Sequence, residues 1–395
     1  MAANKGETKM NDLLRNAQQG DMYAQYQLGD AYYHGKEVEH NHEEAVKYFQ
    51  LAAEQGHAMA QTRLGVAYFK GNGVAQNFVE AVKWVKKAAE QGFATAQNFL
   101  GQILRVEQKH EEAVKWLRLS AEQEDADAQN SLGNAYSQGN GVPQNYEEAV
   151  KWYRLAAEQG EANAQCNLGA AYFNGNGVAQ NYEEAVKWFH LAAEQGHVSA
   201  QYNLGMMYNN GHGVEQDHAE AVKLYRLAAE QGEANAQSNL GAAYFNGNGV
   251  AQNHEEAVKW FQSAAEQGHP VAQNNLGSAY FQGNGIEQNY EEAVKWFQSA
   301  AEQGEANAQF NLGAVYFNGN GLEQNYEEAV KWFRLSAEQG DVHAQYHLGF
   351  AYLNGNGVEQ NHEEAVNLFR LAAEQGYQDA ITALEAMGRI GLCTP

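Results

Sequence analysis

Apolar positions along the chain follow a helical spacing that returns every thirty-six residues. Residues 161–196 form one such unit. In it Ala164, Leu168 and Tyr172 are each four residues apart, so they stack on one face of a helix. This spacing predicts a first helix with one apolar face. The glycine-rich run 174–177 follows and predicts a turn, because glycine adopts positive φ at little steric cost.

A second helix is indicated after the turn. Asn181 lies three residues before Glu184, which is the spacing of a capping box at the start of a helix. Glu183 and Lys187 are four residues apart on the polar side, and we expect them to form an ion pair. Gly196 is expected to end the helix as a C-terminal glycine. Each unit is therefore predicted to be a helix-turn-helix hairpin.

Ten such units fill residues 21–376, and a Gln-Gly pair marks the end of all but one of them. A fixed period of this length is typical of a solenoid, in which each unit packs on its neighbours. We therefore interpret the chain as one elongated all-α domain. Residues 1–20 are predicted to form an N-terminal tail and a capping helix. Residues 377–395 are predicted to form a C-terminal capping helix and a tail.

The third unit, residues 93–124, is shorter than the others. Four residues are missing between Leu100 and Val106, and their loss removes the glycine-rich turn. Lys109 replaces the capping asparagine, and Glu124 stands where glycine is expected. We expect the array to bend or loosen there, so this unit is predicted to be either a hinge or a contact site.

Charge and composition exclude several classes of function. Forty-nine acidic and twenty-five basic residues give a net charge of -24, which repels nucleic acid and anionic lipid surfaces. No apolar run approaches the length that crosses a bilayer, and residues 1–10 lack the apolar core of a signal peptide. We expect a cytoplasmic protein, or a secreted or periplasmic one if a leader was removed. Cys166 and Cys393 are too few for a framework of disulfides or metal sites.

A pattern of small, apolar and glycine residues recurs in every unit. In the fifth unit it comprises Ala164, Leu168, Gly169, Tyr172, Gly175, Gly177, Val178, Glu184, Ala185, Trp188, Ala192, Ala193 and Gly196. This pattern resembles the Sel1-like repeat family of the tetratricopeptide-like superfamily, and the resemblance covers nearly the whole chain. It implies an α/α right-handed superhelical solenoid with half-repeat caps, which serves as a scaffold or adaptor for protein partners. Cysteine-rich members associated with penicillin binding carry a cysteine pair in each repeat, which this chain lacks.

A ligand groove is expected along the first helices, if these line the concave side as in related arrays. The face opposite Leu168 includes Cys166, and the residue at this position varies from unit to unit. Because a carboxamide both donates and accepts hydrogen bonds, a row of amides suits an extended peptide backbone or a sugar chain. Alternatively, each amide bonds to the next repeat or faces water. Two such rows are Asn167, Asn203, Asn239, Asn275 and Asn311, ending at His347, and Asn174, Asn210, Asn246, Asn318 and Asn354.

We predict a non-enzymatic scaffold that holds a peptide segment of a partner protein in this groove. Aromatic side chains would anchor the peptide, and amides would define its register. The predicted partner-binding residues are Tyr202, Asn203, Asn239, Asn275, Phe310, Asn311, Tyr346 and His347. No cofactor or metal is predicted. The pair His343 and His347, and the group His34, His40 and His42, have spacings that bind zinc only when a further ligand converges.

Two other functions stay open. Amides with aromatic residues also suit sugars, so the chain could bind a glycan or a cell-wall ligand related to peptidoglycan, with or without hydrolysis. The array could also be a structural spacer. Catalysis would need singular residues to converge, whereas most polar residues here are repeated, so no enzyme activity is predicted. We expect a monomer or a weak oligomer with a protein or peptide partner, and neither nucleic-acid binding nor membrane insertion.

Overall fold

The chain is helical throughout the part that the structure, a computed structural model, describes. The backbone is described for residues 2–389 and the side chains for residues 10–388, so Cys393 and the outer ends of both predicted end segments lie outside the described residues. Residues 2–389 form twenty-two helices and no strand, which confirms the predicted all-α fold of helix-turn-helix repeats. The helices are α1 (Ala2–Gln18), α2 (Met22–His34), α3 (His42–Glu54), α4 (Ala58–Lys70), α5 (Phe78–Glu90), α6 (Ala94–Val106), α7 (His110–Ala121), α8 (Ala126–Gln138), α9 (Tyr146–Glu158), α10 (Ala162–Asn174), α11 (Tyr182–Glu194), α12 (Val198–Asn210), α13 (His218–Glu230), α14 (Ala234–Asn246), α15 (His254–Glu266), α16 (Pro270–Gln282), α17 (Tyr290–Glu302), α18 (Ala306–Asn318), α19 (Tyr326–Glu338), α20 (Val342–Asn354), α21 (His362–Glu374) and α22 (Gln378–Arg389).

Two compact units divide the chain, one ending at His197 and the other beginning at Val198. Unit 1 contains α1 to α11, and unit 2 contains α12 to α22. From α2 to α21 the even-numbered helices are the first helices of the repeats, and the odd-numbered helices are the second. Within each unit, a first helix packs against the second helix of its own repeat and against the second helix of the repeat before it.

A glycine lets the two helices of each repeat lie close together. On α10 Leu168 is fully buried, and on α11 Phe189 is only 2% exposed. Gly169 faces this ring, because a Cβ added to it would lie 2.8 Å from Phe189 Cδ1. A larger residue would push the two helices apart. The glycine beside the apolar stripe is therefore a packing residue.

Side-chain caps define the start of the second helices. Asn181 Oδ1 accepts a hydrogen bond from the backbone N–H of Glu184 at 3.1 Å, so it caps α11. The backbone N–H of Asn181 donates to Tyr172 O at 2.9 Å. Because this donor is already satisfied, the Glu184 side chain is not needed to bond it. Only half of the predicted capping box is therefore formed.

The predicted ion pair between Glu183 and Lys187 is wrong. Lys187 Nζ lies 3.6 Å from Glu184 Oε2, and the same three-residue spacing joins Lys151 to Glu148 at 2.5 Å in the repeat before. Residues three and four apart are both neighbours on a helix surface, so the spacing alone does not decide which carboxylate pairs. These groups are exposed, and the pair contributes little to stability.

Buried glutamines join neighbouring repeats. Gln165 is 4% exposed, and its Nε2 donates to Ala157 O at 3.2 Å in the repeat before. Its Oε1 accepts from Gln195 Nε2 at 2.8 Å, at the end of its own repeat. Gln195 also donates to Gly160 O at 3.0 Å. These bonds satisfy the buried amide and limit how far neighbouring repeats can slide.

The connection between the helices of the third repeat is short. α6 ends at Val106 and α7 begins at His110, so only three residues join them. Gln108 in this connection adopts a left-handed φ of 62°, and Glu124 at the end of the repeat adopts a φ of 66°. Lys109 precedes α7 without forming a side-chain cap. The predicted loss of the turn and of the cap is thus seen in the backbone.

The helix pair of the third repeat is nevertheless packed like the others. Gly101 faces Leu117, whose Cγ would lie 2.6 Å from a Cβ added to the glycine. Leu100 and Leu117 are both at most 1% exposed. The shortened connection has therefore not opened the interface between α6 and α7. A hinge in this repeat stays a prediction.

Candidate functional site

Cavities recur where the first helix of one repeat crosses the second helix of the repeat before. In unit 2, a cavity of about 180 Å³ is lined by α12, α13 and α14, and a cavity of about 280 Å³ is lined by α14, α15 and α16. Ala242 and Asn246 line both, so the two cavities adjoin. Asn239 of the first is replaced in the second by its repeat equivalent, Asn275. We call these two cavities the unit 2 pockets.

Two tyrosine hydroxyls lie close to the first amide, because the Asn239 side chain affects the pKa of both Tyr202 and Tyr225. Burial raises the pKa of Tyr225 to about 12, and burial also raises the pKa of Tyr202. Both phenols are therefore neutral at physiological pH and act only as hydrogen-bonding groups.

Two other amides in these pockets have unused hydrogen-bonding capacity. Asn246 is exposed and Asn275 is half-buried, and both line the second pocket. Neither side chain makes a hydrogen bond to any described residue. A carboxamide offers two N–H donors and one acceptor oxygen, so each can bond both an N–H and a C=O group of a ligand. Phe245 and Phe261 provide apolar walls beside them.

The matching cavity in unit 1 is smaller and its amides are occupied. It has a volume of about 120 Å³ and is lined by Asn167 and Asn174. Asn167 Nδ2 donates to Asn130 Oδ1 at 2.9 Å, and Asn174 Nδ2 donates to Ala170 O at 3.0 Å. In this cavity the amides bond to other residues of the array, which was the alternative interpretation of the amide rows.

The column of residues at the Cys166 position is buried at half of its members, which corrects the sequence interpretation of an open groove along its whole length. Side chains of the first helix in the next repeat cover this column, as when Asn274 Oδ1 accepts from Asn311 Nδ2 at 2.8 Å. Burial raises the pKa of the Cys166 thiol to about 12, with Glu161 adding to the effect, so the thiol is protonated and unreactive. Five members of the column are less than a tenth exposed, namely Thr62, Asn130, Cys166, Ser238 and Asn274.

An aromatic cluster lies in the last two repeats, where His347 stands in place of the asparagine of the first amide row. The ring centroids of Phe310 and Tyr346 lie 5.5 Å and 5.4 Å from that of His347. The His347 ring also stacks on Phe333 at 5.5 Å, with 24° between the planes. Burial lowers the pKa of His347, and the nearby His343 lowers it further. The structure thus brings three predicted site residues together as one neutral, largely apolar cluster.

The eight predicted partner-binding residues are all half-buried and lie in unit 2. Asn239 and Asn275 line the unit 2 pockets, and Tyr202 contacts Asn239. Asn203 lines neither pocket, and Asn311 is bonded to Asn274. Phe310, Tyr346 and His347 form the aromatic cluster.

Sequence reasoning missed the pocket residues that the second helices supply. His218 and Tyr225 on α13 and Phe261 on α15 line the pockets, together with Gln282 on α16. Tyr225 stands at a position that other repeats fill with phenylalanine, such as Phe261, and this position in the repeat is typical of a core residue. Its hydroxyl was the one signal, because a buried phenol needs a hydrogen-bond partner.

The predicted histidine groups do not gather further ligands. Among the described residues, no group of three or more His, Cys, Asp or Glu side chains could hold a metal ion. His34 Nε2 lies 3.3 Å from Asp30 Oδ1, and the rings of His40 and His42 are 4.3 Å apart.

A larger cavity, of about 880 Å³, lies beside the shortened third repeat. It is lined by the connection at Gln108 and Lys109, by Lys115 and Trp116 on α7, and by Gly141. The sequence predicted a contact site or a hinge in this repeat but not a cavity.

These features define the class of the protein, because the chain belongs to the Sel1 repeat family. The family model matches it ten times. Arrays of this class are generally scaffolds for protein interaction and are generally not enzymes. No helix within residues 2–389 is long and apolar enough to span a bilayer. The matched segments are 23–57, 58–93, 94–125, 126–161, 162–197, 198–233, 234–269, 270–305, 306–341 and 342–377.

Solved structures agree with this membership. The chain is 39% identical to c5321, a protective antigen of uropathogenic Escherichia coli strains with an SLR fold, with a TM-score of 0.87 over 97% of this chain and 83% of that one. It is 32% identical to a Sel1 repeat protein from Oxalobacter formigenes, with a TM-score of 0.59 over 82% of this chain and 93% of that one. A STAND protein from Pyrococcus horikoshii with a tetratricopeptide repeat sensor is 15% identical, with a TM-score of 0.50 over 87% of this chain and 57% of that one, and shows the fold alone. A comparison with curated proteins found no significant match.

Proposed function

We propose that unit 2 binds an extended segment of a partner protein in the unit 2 pockets. The observation that supports this most directly is that the two pockets adjoin at Asn246 and offer equivalent amides, Asn239 and Asn275. An extended peptide presents backbone and side-chain groups at a regular interval. A binding surface that repeats its polar and apolar groups suits such a ligand.

The pocket residues divide into two roles. Asn246 and Asn275, whose amides have no partner among the described residues, bond the peptide backbone. Phe245 and Phe261 contact an apolar side chain of the peptide. Asn239, which lies close to Tyr202 and Tyr225, defines where along the groove the peptide lies.

We further propose that the remaining predicted residues extend this contact. Phe310, Tyr346 and His347 offer a half-buried apolar cluster to a second side chain of the partner. Asn203 and Asn311 lie on first helices of the same unit, and the proposal includes them in the contact. The function is that of a monomeric or weakly associating adaptor, and the cytoplasmic location stays a prediction that fractionation of the native host tests.

The test is affinity purification from extracts of the native host, with partners identified by mass spectrometry. The double variant Asn246→Ala with Asn275→Ala should lose the main stoichiometric partner, because it removes the two free amides. These residues are not in the core, so the thermal unfolding temperature should stay close to that of the wild type. Asn320→Ala is the matched control, since Asn320 lies in a turn of unit 2 and lines neither pocket.

Three outcomes would count against the proposal. Capture of the partner by the double variant at the wild-type level would remove the pockets from the contact. Thermal stabilisation by muropeptides, lost in the double variant, would assign the pockets to a glycan instead. Failure of the wild type to capture any protein, with pocket variants fully functional in the host, would favour a spacer.

A further inference from the structure

In the regular repeats, the glycine-rich turn covers the start of the second helix in the repeat before. A Cβ added to Gly73 would lie 2.2 Å from His42 O. The same construction puts a Cβ on Gly141 at 2.3 Å from His110 O. The backbone of the turn therefore lies directly on the first residue of that helix. The third repeat lacks this turn, so the start of α5 in the second repeat has no such cover.

Apolar side chains are exposed where the cover is missing. Phe78 and Val79 at the start of α5 are 52% and 77% exposed, and Val106 at the end of α6 is 74% exposed. Phe69 links the two helices, because its ring lies 5.4 Å from that of Phe78 and 5.5 Å from that of Phe99. Val106 lies seven residues after Phe99 and so on the same face of α6. We call Phe78, Val79, Phe99 and Val106 the α5–α6 patch.

The patch departs from the regular repeats in sequence as well. The second position of the second helix is glutamate in most repeats, as at Glu43 and Glu147, but valine at Val79. An exposed glutamate replaced by an exposed valine loses solubility without gaining a core contact. The apolar residue therefore has no explanation within the fold of the chain.

Lys86 on α5 is a cation without a partner among the described residues. It lies seven residues after Val79, on the same face of α5. At this position other repeats carry an arginine that bonds a tyrosine of the next repeat, as when Arg154 donates to the Tyr172 hydroxyl at 2.7 Å. Leu104 occupies the tyrosine position in the third repeat. Lys86 forms no ion pair or hydrogen bond with the described residues.

Further cations lie on helices of the second and third repeats. Residues 57–92 contain five basic and two acidic residues, in a chain whose net charge is -24. Lys70 and Arg105, at the ends of α4 and α6, are exposed, and neither is ion-paired within the part of the chain that the structure describes. On α7, Lys115 lines the cavity of about 880 Å³ together with Glu111 and Glu112, and it lacks an ion pair among the described residues.

We propose that the α5–α6 patch is a second docking surface, which binds an acidic segment of a partner protein that carries an apolar side chain. The apolar side chain covers Phe78 and Val79, and carboxylates of the segment face Lys86 and Arg105. Charge decides the choice of partner, because unpaired cations around an apolar centre attract an anionic ligand. The net charge of -24 on each copy opposes the approach of a second copy of this chain.

The test is a selection of random short peptides, displayed on phage, against the immobilised full chain. Enriched peptides should combine Asp or Glu with Leu, Phe or Trp, and their affinity should fall as salt is raised. The double variant Val79→Glu with Lys86→Glu should weaken a selected peptide by at least about tenfold, which is about 1.4 kcal/mol. Both residues are exposed, so the variant should fold normally.

Two controls separate this surface from the rest of the chain. His190→Glu places the same charge at the position equivalent to Lys86 in the fifth repeat and should leave binding unchanged. The variant Asn246→Ala with Asn275→Ala should also bind the acidic peptide normally, so this test does not depend on the proposed function. In a further variant, residues 71–77 replace residues 107–109 to restore the turn, and this variant should lose the peptide because the patch is covered.

Other results would overturn the proposal. Enrichment of basic or uncharged peptides would contradict the assigned chemistry. Equal binding of an acidic peptide by the wild type and the Val79→Glu, Lys86→Glu variant would place the contact elsewhere. If sedimentation velocity shows that the wild type self-associates and this variant does not, the patch is an interface between copies of the chain.

Discussion

The third and fifth repeats each contain a packed pair of helices, but the caps, turns and end residues around the two pairs differ. In the fifth repeat, side chains cap both helices, a glycine-rich turn joins them and a glycine ends the second. The third repeat has neither cap nor turn, and a glutamate ends it. Its buried leucines, such as Leu100 and Leu117, are nevertheless packed as tightly as those of its neighbours. The positions that differ are Phe93, Lys109 and Glu124, against Glu161, Asn181 and Gly196.

This difference shows that packing between helices, rather than local signals, holds a repeat in place. A cap or a C-terminal glycine contributes about 1 kcal/mol each, whereas burial of one leucine contributes about 2 kcal/mol. A repeat inside an array is covered on both sides, so it can lose several local devices and keep its fold. Loss of the turn in the third repeat leaves part of the second repeat uncovered. Phe78 and Val79 are exposed on this surface.

The turn gives the largest expected effect, because it exists only in the regular repeats. Gly285→Ala should lower the free energy of unfolding by about 3 kcal/mol, since the new Cβ would lie 2.3 Å from His254 O. Gly268→Ala is the control, because Gly268 has a φ of 88° but nothing within 4 Å of an added Cβ, and it should cost only about 1 kcal/mol. Urea unfolding measures both. Equal losses would mean that the turn does not rest on α15.

The chain should become more stable when the end of the third repeat carries glycine, as the other repeats do. Glu124→Gly should raise the free energy of unfolding by about 1 kcal/mol, because glycine adopts the observed φ of 66° without strain. The reverse change, Gly160→Ala at a φ of 93°, should lower it by a similar amount. The urea midpoint of each variant checks this pair. A lower midpoint for Glu124→Gly would show that the carboxylate has a role that its backbone conformation conceals.

A missing cap can also be restored. Lys109→Asn should stabilise the start of α7 by about 0.5 kcal/mol, as the low end of the capping effect. Hydrogen exchange at the amides of Glu111 and Glu112 reports the cap directly, and these amides should exchange more slowly. Asn181→Ala, in a repeat where the cap is present at 3.1 Å, should produce the opposite change at Glu184. No change at α7 would mean that its short connection cannot adopt the capping geometry.

The smallest expected effect is a dependence of stability on pH. It should come from His269 and not from Phe93, which occupies the same position in the third repeat. His269 Nδ1 accepts from the backbone N–H of Ala272 at 3.2 Å, and this requires an unprotonated nitrogen. Burial lowers the pKa of His269 below its ordinary value of 6.5. The unfolded chain therefore takes up the proton first, so the contribution of this cap is complete above pH 6.5 and is lost as the pH falls below it.

The variant His269→Glu tests this, because glutamate caps the equivalent position at Glu233. The loss of stability on acidification through pH 6.5 should be smaller in this variant by a fraction of about 1 kcal/mol. Phe93→Ala should leave the pH dependence unchanged, since Phe93 makes no side-chain cap. A steeper loss for His269→Glu in this range would contradict the assigned role of the imidazole.

The helices and their family were predictable because each is specified by signals close in the sequence. The spacing of Leu168 and Tyr172, the cap at Asn181 and the packing glycine at Gly169 are all local, and each recurs up to ten times. A pattern that recurs in many repeats can be recognised even where a single repeat departs from it. The pairing of Glu184 rather than Glu183 with Lys187 was not predictable, because both spacings are compatible with one helix surface.

The site was only partly predictable, because it depends on how one repeat lies against the next. The amides Asn239 and Asn275 were identified, but the second-helix residues that complete their pockets were not. Tyr225 is 4% exposed and reads as a core residue, although its hydroxyl reaches Asn239. The Cys166 column was expected to be open, but half of its members, such as Cys166 and Asn274, are buried. Neither contact has a local signal in the sequence.

The glutamine bonds between repeats have a consequence for how such a gene can change. Within each unit the same bond to the repeat before is made again, as from Gln165 Nε2 to Ala157 O and from Gln237 Nε2 to Ala229 O. Any repeat therefore carries a connector that fits any other. Recombination that adds or removes a repeat creates no mismatched junction, so the length of the array can vary over generations without a new interface having to evolve.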